Sequence, residues 1–245
     1  MVEPIIELQG VSFSTQHEEI IRDLSYQFLE GTTTALAGPS GGGKSTVLKL
    51  AAGLLIPSAG TVRFRGQDMA AMNRGQTMEF RRQSAVVFQD SALWANQNLY
   101  QNLELPLRLH FPQLSKGDRE KRMRQVLSEV GYTKDLLIRP AQLSMGEQKL
   151  IAFARAMLCQ PRVLFLDEWT ESLDGNAAQR LIDRVKRHKE QGTTVIFVSH
   201  DLRIIKTLAD AIIMILGGRI SLTRTAAEIA ADEHLAQHIE KGIAS

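Results

Sequence analysis

The sequence has little of several features that mark particular classes of protein. Its single cysteine, Cys159, sits in an apolar helical pattern, which excludes a disulfide framework and predicts a buried side chain rather than a nucleophile. Aromatic residues make up only 6% of the chain and the formal net charge is only +2, so we expect no nucleic-acid partner. No apolar run approaches the roughly 18 residues of a membrane-spanning helix, since the longest, Ala211–Leu216, ends at two glycines.

The N-terminal segment, Met1–Glu7, carries acidic residues and no basic stretch, which argues against a secretory signal. Together with the lone cysteine, this predicts a soluble protein of a reducing compartment. The length of 245 residues allows one large α/β domain or two small ones.

What the chain does contain is a complete phosphate-binding loop of the form G-x-x-x-x-G-K-[ST]. A short apolar strand, Thr34–Ala37, precedes the loop, and an amphipathic helix begins after it at Ser45. This order surrounds a phosphate chain with backbone N–H groups and a helix N-terminus, which a flexible Gly/Ser linker would not do. We expect Lys44 to reach the β- and γ-phosphates and the Ser45 hydroxyl to bind Mg²⁺. The residues expected to contact nucleotide here are Gly38, Pro39, Ser40, Gly41, Gly42, Gly43, Lys44, Ser45 and Thr46.

The hydrophobic pattern predicts an α/β fold with a mostly parallel sheet. Residues 5–29 alternate between apolar and polar, which is typical of an antiparallel β layer. Residues 97–158 have a helical period instead, with one solvated amphipathic helix expected over Lys116–Val130. Short, nearly continuous apolar runs indicate strands buried on both faces, at Ala85–Phe88, Val163–Leu166, Val195–Val198 and Ala211–Leu216.

Polar residues follow three of these predicted strands. Asp167 and Glu168 come directly after one of them, Gln89 after another and His200 shortly after a third. In open parallel sheets, ligands bind outside the carboxyl ends of the strands, so we expect these side chains near the bound nucleotide. Asp167 is suited to holding Mg²⁺ and Glu168 to polarising an attacking water. Taken singly, Glu168 reads as a helix-start acid and His200 as a structural group, but together they favour a site.

The segment Leu143–Gln148 reads Leu-Ser-Met-Gly-Glu-Gln at the start of a predicted helix, and it resembles the L-S-G-G-Q signature of ABC transporter ATP-binding subunits. The resemblance covers essentially the whole chain. It implies a P-loop NTPase that binds ATP and Mg²⁺ and couples ATP hydrolysis to transport. By this resemblance Glu168 is the catalytic base and His200 the switch histidine, and Gln89 joins them in catalysis. Ser45, Gln89 and Asp167 would then bind the metal.

The resemblance also implies a partner. Ser144 and Gly146 of the signature would touch the γ-phosphate of ATP held by a second copy of the chain, because a helix N-terminus with a hydroxyl makes an anion site. One chain carries one loop and one signature, so a complete site needs two copies.

We expect a single ABC-type domain over residues 1–245 with three parts. The ATPase core and its β layer would occupy residues 1–89 and 160–225, and an inserted helical subdomain with the signature residues 90–159. A helical tail is expected over residues 226–245.

Four positions depart from the family pattern. Met145 replaces the first signature glycine, so its backbone cannot freely take a positive φ. Glu147 replaces the usual glutamine, and Trp169 stands where a proline is usual, which we attribute to local packing. Thr15 occupies the place of the aromatic residue that often stacks on adenine. We nevertheless expect hydrolysis, because Lys44 and the residues at the strand ends are all present.

The resemblance implies that separate transmembrane permease subunits dock on the segment Gln89–Leu107. Its cluster of Leu93, Trp94 and Tyr100 is suited to seating a short partner helix, or alternatively packs the insertion's own core. Its sequence looks most like ATPases of the Mla type, which work with mammalian-cell-entry (MCE) lipid-binding proteins. This predicts lipid transport in a bacterial envelope by a subunit on the cytoplasmic face of the inner membrane. Amino-acid import, lipoprotein release and a clamp that hydrolyses ATP poorly are the alternatives.

Overall fold

The computed structural model describes residues 3–225, 227 and 228 and contains two β-sheets flanked by helices. The strands of this part of the chain are β1 (Pro4–Ser14), β2 (Glu19–Leu29), β3 (Thr33–Ala37), β4 (Ala59–Phe64), β5 (Gln67–Asp68), β6 (Ser84–Val87), β7 (Val163–Asp167), β8 (Thr194–Val198), β9 (Ala211–Leu216) and β10 (Arg219–Thr225). The α-helices are α1 (Lys44–Ala51), α2 (Arg74–Gln83), α3 (Leu99–His110), α4 (Lys116–Val130), α5 (Met145–Met157), α6 (Gly175–Glu190) and α7 (Leu202–Leu208). None of these helices is both long and apolar enough to cross a membrane.

The larger sheet confirms the predicted parallel core. Its six strands run in the order β10-β9-β3-β8-β7-β6, and all neighbours are parallel except β10, which pairs antiparallel with β9 at the edge. Every residue of β3, β7 and β8 is buried, which explains why their sequences are apolar runs rather than alternating patterns. The carboxyl ends of these central strands therefore lie along one edge of the sheet.

The smaller sheet confirms the predicted antiparallel layer. Its order is β2-β1-β4-β5, and Ile6 of β1 lies opposite Phe28 on one side and Phe64 on the other. Alternation along β1 buries Ile6 and Leu8, and these side chains pack with α1 in one core cluster on a face of the parallel sheet.

A second core cluster joins the other face of the sheet to α3, α4 and α5. Trp169 is fully buried there and meets Phe197 edge to face, with ring centroids 5.4 Å apart. The attribution of Trp169 to local packing is thus confirmed. Cys159 is also buried, and burial raises the pKa of its thiol to about 11, which leaves it unreactive.

The helical stretch predicted over residues 97–158 contains these three helices, and α4 has the predicted bounds. Each helix begins at a side-chain cap, Asn98, Ser115 or Ser144, that accepts a backbone N–H from the first turn. Apart from residues 227 and 228, the tail predicted over 226–245 lies outside the described residues, and the boundaries proposed at residues 89 and 160 stay a prediction.

Candidate nucleotide site

The phosphate loop connects β3 to α1 and has a shape that requires glycine at two of its positions. Gly38 has a φ of 133°, and a Cβ added there would lie 2.2 Å from the backbone oxygen of Ile215. Gly43 has a φ of 101° and forms the left-handed N-cap of α1. The loop can therefore turn tightly at the end of the central strand and point the helix N-terminus into the site.

Lys44 places a buried positive charge inside this loop. Its Nζ donates hydrogen bonds to the backbone oxygens of Gly38 at 2.9 Å and Pro39 at 2.8 Å. Burial lowers the pKa of the ammonium, while Glu168 and Asp167 oppose that shift. A charge held this way can pair with an anion without first ordering a flexible side chain.

Ser45 and Asp167 meet at the carboxyl end of β7. The Ser45 hydroxyl donates to Oδ1 of Asp167 at 2.8 Å. Burial raises the pKa of Asp167, and the Ser45 hydrogen bond opposes the shift. A hydroxyl and a carboxylate that share one point are hard oxygen donors of the kind that Mg²⁺ prefers beside a phosphate, so the residues present fit this metal.

Glu168 follows Asp167 in a strained backbone conformation with a φ of 45°. Such a conformation costs about 1–3 kcal/mol in a residue other than glycine and often occurs at functional sites. Oε1 of Glu168 lies 3.1 Å from Nε2 of His200. Burial and then the charges of Glu171 and Asp167 raise the pKa of Glu168 to about 7, near the value that suits a general base.

Gln89 follows β6 and also reaches this edge of the sheet. Its side-chain amide donates to Oε2 of Glu171 at 3.0 Å. Sequence reasoning missed Glu171, because nothing in its local pattern shows that the chain after β7 turns back toward Gln89.

Lys149 is the second residue that the sequence did not reveal. It lies on α5, is only 2% exposed, and its Nζ donates to the backbone oxygen of Glu168 at 2.7 Å. The available signal was a lysine inside the apolar stripe that includes Leu150 and Ile151, a position where a charge is costly unless it is paired.

A cavity of about 420 Å³ runs along the phosphate loop and brings most of the predicted residues together. Those lining it are Ser40, Gly41, Gly43, Lys44, Ser45, Thr46, Gln89, Glu168 and His200. Asp167 instead lines an adjoining cleft of about 620 Å³ together with Ser45 and Gln89. The first cavity is also lined by Ile20, Arg22 and the Gly217–Gly218 turn, which the sequence did not predict.

The signature does not line the first cavity, although Met145 lines the adjoining cleft. Ser144 caps α5 in a reciprocal pair with Glu147, whose carboxylate accepts from the Ser144 N–H at 2.9 Å. Glu147 also forms an ion pair with Lys134, which together with the Ser144 N–H holds the pKa of the carboxyl below its ordinary value. Met145 is the first residue of the helix and 68% exposed, so the concern that it cannot adopt a positive φ does not arise.

In the segment after Gln89, some side chains of the predicted cluster are packed and one is exposed. Leu93 and Tyr100 pack against the helical core, whereas Trp94 is 48% exposed. Buried Asn102 ties the segment down, because its side chain accepts from the Trp94 N–H at 2.8 Å and donates to three backbone oxygens. Of the predicted cluster, Trp94 is the side chain most available to a partner.

Comparison with known proteins agrees with this arrangement. The family model described as "ABC transporter" matches residues 21–171, more than half of the chain. The nickel import ATP-binding protein NikE of Shigella flexneri serotype 5b is 35% identical over 219 residues, covering 88% of this chain and 81% of NikE. NikE of Escherichia coli O157:H7 is 34% identical over 223 residues, covering 89% of this chain and 83% of its own length.

Solved structures show the same fold. A dimeric post-hydrolysis state of the ATP-binding cassette MJ0796, bound to ADP and Pi, superposes with a TM-score of 0.84 at 26% identity, covering 90% of this chain and 98% of the cassette. CbiO1 of Clostridium perfringens, part of the ABC transporter complex cbiONQ, gives a TM-score of 0.77 at 25% identity, covering 98% and 95%.

The geometry and these likenesses lead to one assignment. A phosphate loop, a magnesium-compatible pair and an acid–histidine pair lie at neighbouring strand ends, in the fold of cassettes that dimerise and hydrolyse ATP. The chain belongs to the ABC transporter family and is an ATP-binding subunit, an ATPase that uses ATP and Mg²⁺.

Proposed function

We propose that the residues at this edge of the sheet carry out ATP hydrolysis in defined roles. The observation that carries the proposal is the Ser45–Asp167 pair directly beside the Glu168–His200 pair. The loop N–H groups and Lys44 bind the phosphate chain, and Ser45, Asp167 and Gln89 hold Mg²⁺. The metal, when bound, neutralises charge that develops on the phosphate oxygens.

Glu168 is the proposed general base. Its carboxylate takes a proton from a water placed in line with the γ-phosphate, and His200 orients that carboxylate through the contact between its Nε2 and Oε1. The near-neutral pKa of Glu168 makes it basic enough to accept the proton. Gln89 lies where it can contact both the metal and the water.

A second copy of the chain completes the site in this proposal. Ser144 is exposed at the start of α5, next to the exposed side chain of Met145. A hydroxyl and the N–H groups of a helix start bind phosphate, so Ser144 and Gly146 of one copy would contact the γ-phosphate held by the other.

We further propose that permease subunits dock on the segment Gln89–Leu107 and hold this subunit on the cytoplasmic face of the inner membrane, where ATP is available. Exposed Trp94, next to the firmly tied turn around Asn102, supports this surface, because large aromatic side chains commonly anchor interfaces.

For the transported substrate we propose a lipid, moved with an MCE-domain partner, on the strength of the Gln89–Leu107 sequence pattern. Nickel is the second candidate, because the NikE relatives are nickel import proteins. The test is to purify the subunit with its membrane partners and measure ATP turnover with phospholipid vesicles or with Ni²⁺. Stimulation by lipid and co-purification of an MCE-domain protein support the first candidate, and stimulation by Ni²⁺ alone replaces it with the second.

A hydrolysis-poor clamp is the competing function for the whole chain. ATP turnover by the assembled complex, compared with that of its Glu168→Gln variant, separates the two. If both complexes bind ATP but neither hydrolyses it, the hydrolysis proposal fails and the clamp function replaces it.

A further inference from the structure

Lys149 is a buried cation with a specific partner. It is 2% exposed, and its ammonium donates at 2.7 Å to the backbone oxygen of Glu168 rather than to a carboxylate. Burial lowers its pKa, while the nearby acids Glu171, Glu168, Asp167 and Asp90 oppose that shift. Burying an ammonium is costly, and a nonpolar side chain would fill the same space without that cost, so the position calls for an explanation.

The peptide group that Lys149 contacts belongs to a strained turn. Glu168 and Ser172 both have positive φ values, of 45° and 67°. A turn with two such residues persists only when its surroundings hold it in place. On one side the Glu168 N–H donates to the oxygen of Val198 at 3.2 Å, and on the other its C=O accepts from Lys149.

The second strained residue touches the same helix. A Cβ added to Gly146 would lie 2.9 Å from the backbone oxygen of Ser172, so α5 approaches this turn as closely as its backbone allows. Gly146 and Lys149 are three residues apart and lie on the same face of α5. That face contacts the turn at both of its strained residues.

The contact joins two elements, α5 and the turn after β7, that are proposed to act on different ATP molecules. The N-terminus of α5 is the proposed contact with the ATP held by the partner copy, and Glu168 acts on the ATP of its own loop. A displacement of α5 is transmitted to the peptide of Glu168 through Lys149, because a helix moves as a rigid body.

We propose that Lys149 is a positioning residue that couples the signature helix of one composite site to the catalytic carboxylate of the other. This inference rests on the roles proposed for Glu168 and the signature. Without the ammonium, the Glu168 backbone is free to relax toward ordinary φ values, and its carboxylate leaves the position beside His200.

The test compares Lys149→Met, which keeps the length and removes the donor, with Lys149→Gln, which keeps a donor. Lys116→Met on α4 is the matched control, because the Lys116 side chain is 76% exposed. In the complex with its membrane subunits we expect Lys149→Met to lower kcat by about 100-fold with little change in KM, since a misplacement of about 1 Å costs that much. Lys149→Gln recovers part of kcat, and Lys116→Met matches wild type.

Two further measurements separate positioning from folding. Placed in the Glu168→Gln background, Lys149→Met is expected to leave ATP affinity and the ATP-dependent dimer unchanged. The proposal is overturned if Lys149→Met retains wild-type kcat, or if both Lys149 variants lose ATP binding and kcat together, which indicates a packing role. Wild-type turnover by Glu168→Gln itself would instead refute the proposed catalytic base, whatever the Lys149 variants do.

Discussion

The proposed site has two halves that differ in how far a single chain completes them. The phosphate-loop half consists of the loop Gly38–Ser45 and the residues at the strand ends, and the signature half is the segment Ser144–Glu147 at the start of α5. In the first half, Lys44 and Asp167 are 6% and 2% exposed and are already in contact with loop or strand atoms. In the second half, Met145 is 68% exposed, and among the hydrogen bonds of the described residues Ser144 pairs only with Glu147 and Gln148 of its own helix turn.

This difference has a physical origin. The phosphate-loop half is built where parallel strands end, and buried neighbours fix Lys44 and Asp167 by packing and hydrogen bonds. The signature half is a helix start at the surface, where a cap satisfies the first-turn N–H groups until an anion arrives. We infer that the first half selects and holds ATP, and the second half reports whether a partner is present.

The largest expected effect lies in the phosphate-loop half. Glu168→Gln removes the proposed base and should lower ATP turnover by about 10²–10⁴-fold while ATP binding persists. Steady-state phosphate release and ATP titration measure the two quantities. Glu120→Gln on α4 serves as the control, and a similar loss in that variant would contradict the assignment.

Lys44→Ala tests binding in the same half. It removes a charge-assisted contact to phosphate worth about 1.5–3 kcal/mol, so the Kd for ATP should rise by about 10- to 100-fold. Isothermal titration of the purified chain measures the change, with Lys116→Ala as the control. Unchanged ATP affinity in Lys44→Ala would refute the loop assignment.

Gly146→Ala alters the signature half directly and leaves the phosphate loop itself unchanged. The new Cβ would approach the Ser172 oxygen to 2.9 Å and push α5 away from the turn after β7. We expect turnover to fall by about tenfold, with ATP affinity of the single chain unchanged. Gly117→Ala is the matched helical glycine, because a Cβ there meets only the Ser115 hydroxyl at 3.9 Å. Equal ATP affinity losses in Lys44→Ala and Gly146→Ala would erase the distinction between the halves.

The smallest expected effect concerns stability and lies outside both halves. Burial and then Arg184 lower the pKa of His188 to about 4, with Glu129 opposing and Arg187 adding to the shift. Arg162 lines the cleft that also contains His188, Arg184 and Glu129. The unfolded chain therefore binds more protons than the folded chain between about pH 4 and 6.5, so this contribution is complete above pH 6.5 and is lost as the pH falls toward 4.

Between pH 7.5 and 5.5 this loss amounts to about 1 kcal/mol of unfolding free energy. Urea unfolding at both pH values measures it, and His188→Gln should reduce the pH dependence. If wild type and His188→Gln show the same pH dependence, His188 is not the titrating group.

The phosphate-loop half was accessible from sequence because its chemistry is local. Gly38 to Ser45 form one motif, and Asp167 and Glu168 follow a short apolar run that is typical of a buried strand. The parallel order of the sheet then brings Gln89 and His200 to the same edge.

Lys149 and Glu171 escaped prediction because their roles depend on tertiary contacts. Lys149 meets Glu168 across a helix–turn interface, and Glu171 meets Gln89 across 82 residues of chain. Neither of these two contacts leaves a local pattern in the sequence. The sequence of β2 likewise does not show that Ile20 and Arg22 line the cavity, because its apolar residues indicate only a half-buried strand.

The most direct test of the two-half account is the mass of the Glu168→Gln chain in solution with saturating ATP and Mg²⁺, measured by light scattering. We predict a shift from the 27.3 kDa monomer to a dimer of twice that mass, and no shift when Ser144→Arg is added, although ATP still binds. A Glu168→Gln chain that binds ATP and stays at 27.3 kDa, or a dimer that forms equally well with Ser144→Arg, would contradict it.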